Sequence, residues 1–271
     1  MHPWEVFGVN KHIIQRVIGH SETDGSGYEP GDTQLLKLIA IISMTIDHVH
    51  IAFFPDNNLM AFLGRFAFPI YAYCVAVGSV YTRDRLKYLG RLVFIGLLSQ
   101  PFYIVALNHD NADMYAIPFR SSPLQSALNY YLQSWDIGNI MLLLALGVLL
   151  IWAIREKKAV FVVALAIIAW RLEGHVAYGW HGVLLIVLFY LTLSRWWLCF
   201  PVMLAYLYVW GYDSTLAEYY PWWAFPLFVL ALLALVCART HSGIRINKWV
   251  FYWFYPAHLC IIMILKMIMG V

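Results

Sequence analysis

From Leu35 onward the chain is a succession of long apolar runs separated by short polar breaks. The runs lack the polar face that a helix on a water-soluble domain keeps toward solvent. About 20 consecutive apolar residues form a helix that crosses the hydrocarbon core of a bilayer, and fewer suffice where neighbours shelter it. The pattern predicts about nine helical spans, near 35–54, 59–81, 88–107, 138–154, 159–171, 181–194, 196–211, 222–238 and 249–269. The expected fold class is therefore all-α, a polytopic transmembrane helical bundle. Between the third and fourth spans, 108–137 is the one long polar stretch, and Pro118, Ser121, Ser122, Pro123 and Asn129 predict an irregular loop with a surface-lying helix.

Ahead of the first span, residues 1–34 form a separate polar segment, and 35–271 are read as a single transmembrane domain. Glu22, Asp24, Glu29 and Asp32 do not fit a signal peptide. Trp4, Phe7, Ile13, Ile14, Val17 and Ile18 recur at helical spacing with Lys11 and Arg16 between them, so an interfacial helix and a disordered tail both fit.

Composition agrees with the pattern. Hydrophobic residues make up 62% of the chain and charged residues 12%, against about 45–50% and about 25% in soluble domains. Membrane lipid is the expected surround, and no nucleic-acid partner is expected. If the N-terminus is cytoplasmic, only Arg65, Arg120, Arg171 and Lys266 face outward, and the other 14 of the 18 Lys and Arg lie inside. That asymmetry predicts an N-in, C-out chain. Cys74, Cys199, Cys237 and Cys260 lie in apolar runs at unrelated spacings, so neither a metal site nor a disulfide framework is expected.

Candidate chemistry starts with an acid and a base side by side, Asp47 and His48, near the far end of the first run, with His50 close behind. An ionisable group at the centre of a span costs about 2.5–3.5 kcal/mol on insertion scales, so such groups commonly serve a function. Arg65 opens the second span on the same side and is a candidate partner for Asp47. Asp47 and His50 share a helix face, whereas His48 is rotated about 100° from Asp47. A purely structural cluster, with Asp47 holding two helices together, is the competing reading. His258 is a second intramembrane histidine, and Pro256, two positions earlier, removes a backbone donor and is expected to kink the last helix. His175, Tyr178 and His181 gather titratable groups in an outer loop where an acceptor could be bound. Arg83, Arg85 and Arg91 precede or open the third span, and Arg245 and Lys248 precede the last. Such clusters suit the phosphates of a nucleotide-bearing co-substrate, and topogenic charge accounts for them equally well. No P-loop, no His-Glu-x-x-His and no Gly-x-Ser-x-Gly is present.

Leu36, Lys37, Met44, Asp47 and His48, followed by Gly64-Arg65-x-Ala67-Phe68-Pro69-Ile70, resemble the TraX family. The resemblance continues through Arg91-Leu92, Ser99-Gln100-Pro101-Phe102 and Asn139. It runs on through Tyr178-Gly179-Trp180-x-Gly182 and ends at Tyr255-Pro256-x-His258-Leu259. It covers most of 35–265 in order. Residue 100 is Gln where many relatives are expected to carry Glu, so no catalytic carboxylate is assigned there.

The resemblance implies an integral protein of the bacterial inner membrane, linked to conjugation. Its expected activity is acetyl-CoA-dependent N-acetylation of a pilin subunit. On that implication Asp47, His48, Arg65 and His258 are the catalytic candidates. His48 would deprotonate the amine or carry the acetyl group itself, and Asp47 or Arg65 would orient it or stabilise the oxyanion. Arg83, Arg85, Arg91, Arg245 and Lys248 would hold acetyl-CoA, with no metal required. His175, Tyr178 and His181 would bind the acceptor. An O-acyltransferase for a glycan or lipid head group and a non-enzymatic pilin chaperone are the alternatives. A transporter is disfavoured, because no internal repeat is visible.

Overall fold

The computed structural model describes residues 31–193, 196–212 and 246–270. The expected span at 222–238, the segment 1–30 and Arg245 lie outside the described residues. Ten α-helices follow one another in the described parts. They are α1 (Gly31–Phe53), α2 (Asn58–Gly64), α3 (Ala67–Tyr81), α4 (Arg85–Ala106) and α5 (Pro123–Gln133), then α6 (Ile140–Arg155), α7 (Ala159–Arg171), α8 (Gly179–Thr192), α9 (Trp196–Tyr212) and α10 (Lys248–Met269). Among the described residues, extended pairing is confined to one bridge between Gly138 and Val176.

Among the described residues, four stretches are long and apolar enough to cross a membrane: Thr33–Phe53, Asn58–Tyr81, Arg85–Ala106 and Lys248–Met269. Helices α6 to α9 are shorter and equally apolar. The expected second span is interrupted, since α2 stops at Gly64 and α3 begins at Ala67, with Arg65 in the break. The expected surface helix in the 108–137 stretch is α5, none of whose residues is buried.

Helix starts are marked by side chains that satisfy free backbone N–H groups. Asn57 accepts from Met60 N, Asp84 from Lys87 N, Asn139 from Met141 N and Asn247 from Trp249 N. The Lys87 backbone N–H and side chain also hold the Asp84 carboxyl below the ordinary carboxylate range.

Cross-helix contacts give the relative directions. Lys37 lies over the Phe251 ring, and Arg91 over the Tyr252 ring, each at 5.6 Å. Further along, Lys266 Nζ donates to Val105 O at 2.8 Å. Helices α1, α4 and α10 thus run parallel, and α10 packs most extensively on α4. Helix α3 runs back from the end of α1, and α6 accompanies it, with Arg155 donating to Ser79 O at 2.5 Å. Helix α8 lies against α6, where a Cβ on Gly147 would stand 3.0 Å from Ile186 Cγ2. Small residues at such crossings let helices approach where lipid supplies no hydrophobic drive.

This arrangement sorts the connections to two ends of the bundle. The turns 54–57, 107–139 and 172–178 lie at the distal end, and the turns 82–84 and 156–158 at the proximal end. Ile70, Ile95, Leu185, Ile186 and Phe189 fill the centre at 0–1% exposure. Phe94, Trp253 and Ile261 point outward, as lipid-facing residues do.

Candidate functional site

The site forms where α1 and α10 meet in their distal halves. His48 and His258 are both buried, and Nδ1 of His48 lies 2.7 Å from Nε2 of His258. Their ring planes lie 14° apart, with centroids 4.9 Å apart. On its other side, His258 Nδ1 lies 2.8 Å from the Phe254 carbonyl oxygen, one turn earlier in α10. A carbonyl can only accept, so His258 carries its proton on Nδ1 and offers the Nε2 lone pair. His48 therefore donates from Nδ1. Its Nε2 is left unprotonated and available as a base, with both imidazoles neutral.

Asp47 precedes this relay on α1 and is buried at 6% exposure. Helix α2 crosses it so closely that a Cβ on Gly64 would lie 2.6 Å from Asp47 Cβ and 2.8 Å from its Cα. Ser43 pins the crossing by donating to Leu63 O at 2.5 Å and Gly64 O at 3.1 Å. Asp47 Oδ1 is buried and has no hydrogen-bond partner among the described residues, and the same holds for Arg65 Nε.

The expected Asp47–Arg65 pairing takes a looser form. The Arg65 guanidinium acts through space on the Asp47 carboxylate, as does His50, and Arg65 acts likewise on the Tyr178 hydroxyl. The reason is geometric: Arg65 is the C-cap of α2, and its backbone N–H bonds Ala61 O. His50 turns to the end of its own helix, with Nδ1 2.8 Å from Phe54 O.

Of the predicted outer-loop residues, Tyr178 joins the site. It has φ 63°, in the left-handed region, and caps the start of α8. Its ring stacks on Phe68 at 4.1 Å. His181 turns toward α9 instead, with Nδ1 3.3 Å from the Tyr206 hydroxyl and its ring stacked on Trp210 at 5.7 Å. His175 is exposed, and its carbonyl accepts from Gly138 N at 2.7 Å.

Of the predicted phosphate-binding residues, Arg83, Arg85, Arg91 and Lys248 lie at the opposite, proximal end. Arg83 is exposed in the turn 82–84, and Lys248 is exposed at the first turn of α10. Arg91 stacks on Tyr252 and leaves Nε buried without a hydrogen-bond partner among the described residues. Arg85 is engaged elsewhere, by Glu156 at 2.7 Å and by the Trp152 ring. Among the described residues, no group of three His, Cys, Asp or Glu side chains is placed to hold a metal ion.

Three polar features had been given no role from sequence. Tyr255 and Tyr103 are buried and lie within electrostatic range of one another. Tyr255 sits one turn before His258, a spacing that would have drawn attention to it. Gln100 and Asn139, both fully buried, form a closed network. Gln100 Nε2 donates to Ser134 O and Ile137 O, while its Oε1 accepts from Asn139 N and Nδ2. Lys266 donates to Val105 O and to Asn108 Oδ1.

An all-helical bundle with membrane-length helices and a buried His–His–carbonyl relay defines a polytopic membrane protein with an internal polar site. The family model described as TraX protein matches residues 32–266, and the chain belongs to the TraX family. It is 34% identical over 118 residues to a probable fimbrial assembly protein, FimC, of Dichelobacter nodosus, covering 42% of this chain and 43% of that protein. It is 41% identical over 39 residues to the uncharacterized protein RP591 of Rickettsia prowazekii, covering 14% of this chain and 16% of that one. The matches thus span less than half the length of either relative. No solved structure matches the chain.

Proposed function

We propose that this chain is an integral acetyltransferase of the bacterial inner membrane, N-terminus cytoplasmic, that transfers acetyl from acetyl-CoA to the N-terminal amine of a pilin subunit. The observation that carries the reading is the relay from His48 through His258 to Phe254 O, which leaves His48 Nε2 as an unprotonated base in a buried setting. Membership of TraX and the fimbrial assembly relative support the link to pilin.

The chemistry assigned to each group follows from its position. The amine nitrogen attacks the thioester carbonyl as His48 Nε2 takes its proton. Asp47, beside His48 and with Oδ1 unpartnered among the described residues, steers the incoming amine. Arg65, within electrostatic range of Tyr178 and Asp47, supplies a positive charge at the same depth. Acetyl-CoA enters from the proximal, cytoplasmic end, where Arg83, Arg91 and Lys248 meet its phosphates; Arg85, bound to Glu156, plays the lesser part. From Lys248 to His258 the helix rises about 15 Å at 1.5 Å per residue, a distance the pantetheine arm has to bridge. Tyr178, with His175 and His181 at the rim, receives the acceptor at the distal end.

The test is the intact mass of the pilin subunit from cells carrying wild-type protein or His48→Ala. The expected result is one acetyl group on pilin with wild type and none with the variant. Acetylated pilin in both strains would remove His48 from the mechanism. Acetyl on a glycan or lipid with none on pilin would favour O-acyl transfer, and pilin binding with no acetyl anywhere would favour a chaperone.

A further inference from the structure

The proposed transfer names a positive charge but no neutral hydrogen-bond donor for the negative oxygen that forms when the amine adds to the thioester carbonyl. We infer that the Tyr255 hydroxyl donates the hydrogen bond that stabilises this oxygen, an assignment that rests on the proposed acetyl transfer.

Four observations meet at Tyr255. It is 1% exposed, so its hydroxyl cannot be satisfied by bulk water. No group among the described residues accepts the hydroxyl proton. Its oxygen likewise receives no hydrogen bond among the described residues. Its ring stands 5.6 Å from that of His258, which ties it to the relay on the same helix.

The surrounding groups agree with this role. Tyr103 and Tyr178 interact through space with both Tyr255 and Asp47. The unsatisfied hydroxyl is thus coupled to Asp47 through these two tyrosines, and its ring borders that of His258. A buried phenol with no acceptor is costly in the resting protein. A donor held ready for charge that develops only in the transition state gives that cost a purpose.

The step balances as follows. A bond forms between the amine nitrogen and the carbonyl carbon, and the C=O π pair moves onto oxygen, where Tyr255 donates to it. The ammonium proton passes to His48 Nε2. On collapse the C–S bond breaks, and the CoA sulfur leaves and takes up the proton from His48. The products are the amide and CoA thiol, with no redox change.

The experiment uses full-length protein in phospholipid nanodiscs, with acetyl-CoA and mature pilin, comparing wild type with Tyr255→Phe in single-turnover transfer. The expected result is a loss of about 10²–10³-fold in rate, the scale for removing one oxyanion donor, with acetyl-CoA binding and melting temperature little changed. A rate within about threefold of wild type overturns the assignment and leaves the proposed activity standing. No transfer by wild type overturns the activity, and the assignment with it.

A second measurement covers the case in which the Phe variant does not fold. Incorporation of 3-fluorotyrosine at position 255 keeps the shape and makes the phenol a stronger donor. The ¹³C=O stretch of bound labelled acetyl-CoA is expected to fall further than in wild type. An unchanged stretch overturns the assignment.

Discussion

His48 Nδ1 and His258 Nε2 lie 2.7 Å apart across 210 positions of sequence. The contact joins the first and last described helices of the bundle, and it fixes which nitrogen of each ring carries the proton. Helix α10 presents His258 with its Nδ1–H already committed to Phe254 O. Helix α1 can then present His48 in only one hydrogen-bonded tautomer, the one with Nε2 free.

That dependence predicts a graded response at position 258. His258→Ala removes the acceptor for His48 and should slow pilin acetylation by about 10²-fold, at the low end of general-base effects. His258→Asn keeps an acceptor oxygen and should retain more of the rate. Single-turnover transfer with both variants checks this, and equal losses would mean that the tautomer is not what His258 supplies.

Gly64 should tolerate no side chain. A methyl group there would meet the Cα and Cβ of Asp47, and backbone cannot move aside as a flexible side chain does. Gly64→Ala is expected to cost about 1–3 kcal/mol, the usual range for overpacking. A lower melting temperature in detergent is the readout, and an unchanged one would show that α1 and α2 can separate freely.

Gln100 is expected to be structural. Gln100→Leu leaves Asn139 and the Ser134 and Ile137 carbonyls without their partner, at about 2–5 kcal/mol. Gln100→Glu should also destabilise at neutral pH, because a carboxylate cannot donate to those carbonyls. Its stability should recover as the pH falls and the carboxyl gains a proton. A melting series across pH tests both, and a pH-independent Gln100→Glu would contradict the assigned orientation.

Lys266 links three helices at the distal end. It donates to Val105 O of α4 and to Asn108, whose own Nδ2 donates to Ile51 O of α1. Lys266→Met keeps the apolar stem and removes the donor, so it should cost about 1–3 kcal/mol. Thermal melting compared with Ile264→Met, on the exposed face of the same helix, separates the lost bond from a general effect on α10.

Much of this was legible in the chain. Span positions are local, because about 20 apolar residues satisfy their own backbone whatever surrounds them. Asp47, His48 and His258 could be chosen for the same reason: ionisable groups are conspicuous against an apolar background. The break at Arg65 was hidden, since residues 59–81 read as one continuous run. Arg85 and Arg91 looked alike in sequence, and only Glu156 approaching from the turn after α6 distinguishes them. Tyr255 was passed over because tyrosine is common in membrane proteins, usually at interfaces.

The sequence by itself determined the helical class, the approximate spans and the identity of the two intramembrane histidines, all of which depend on neighbours a few residues apart. Only the tertiary structure decided that α1, α4 and α10 run parallel, that His48 meets His258, and that Arg65 lies between Asp47 and Tyr178 within electrostatic range of both. Those outcomes depend on which helix faces which, at what depth and in what rotation. Small residues such as Gly64 set those quantities through close packing, and no local pattern along the chain encodes them.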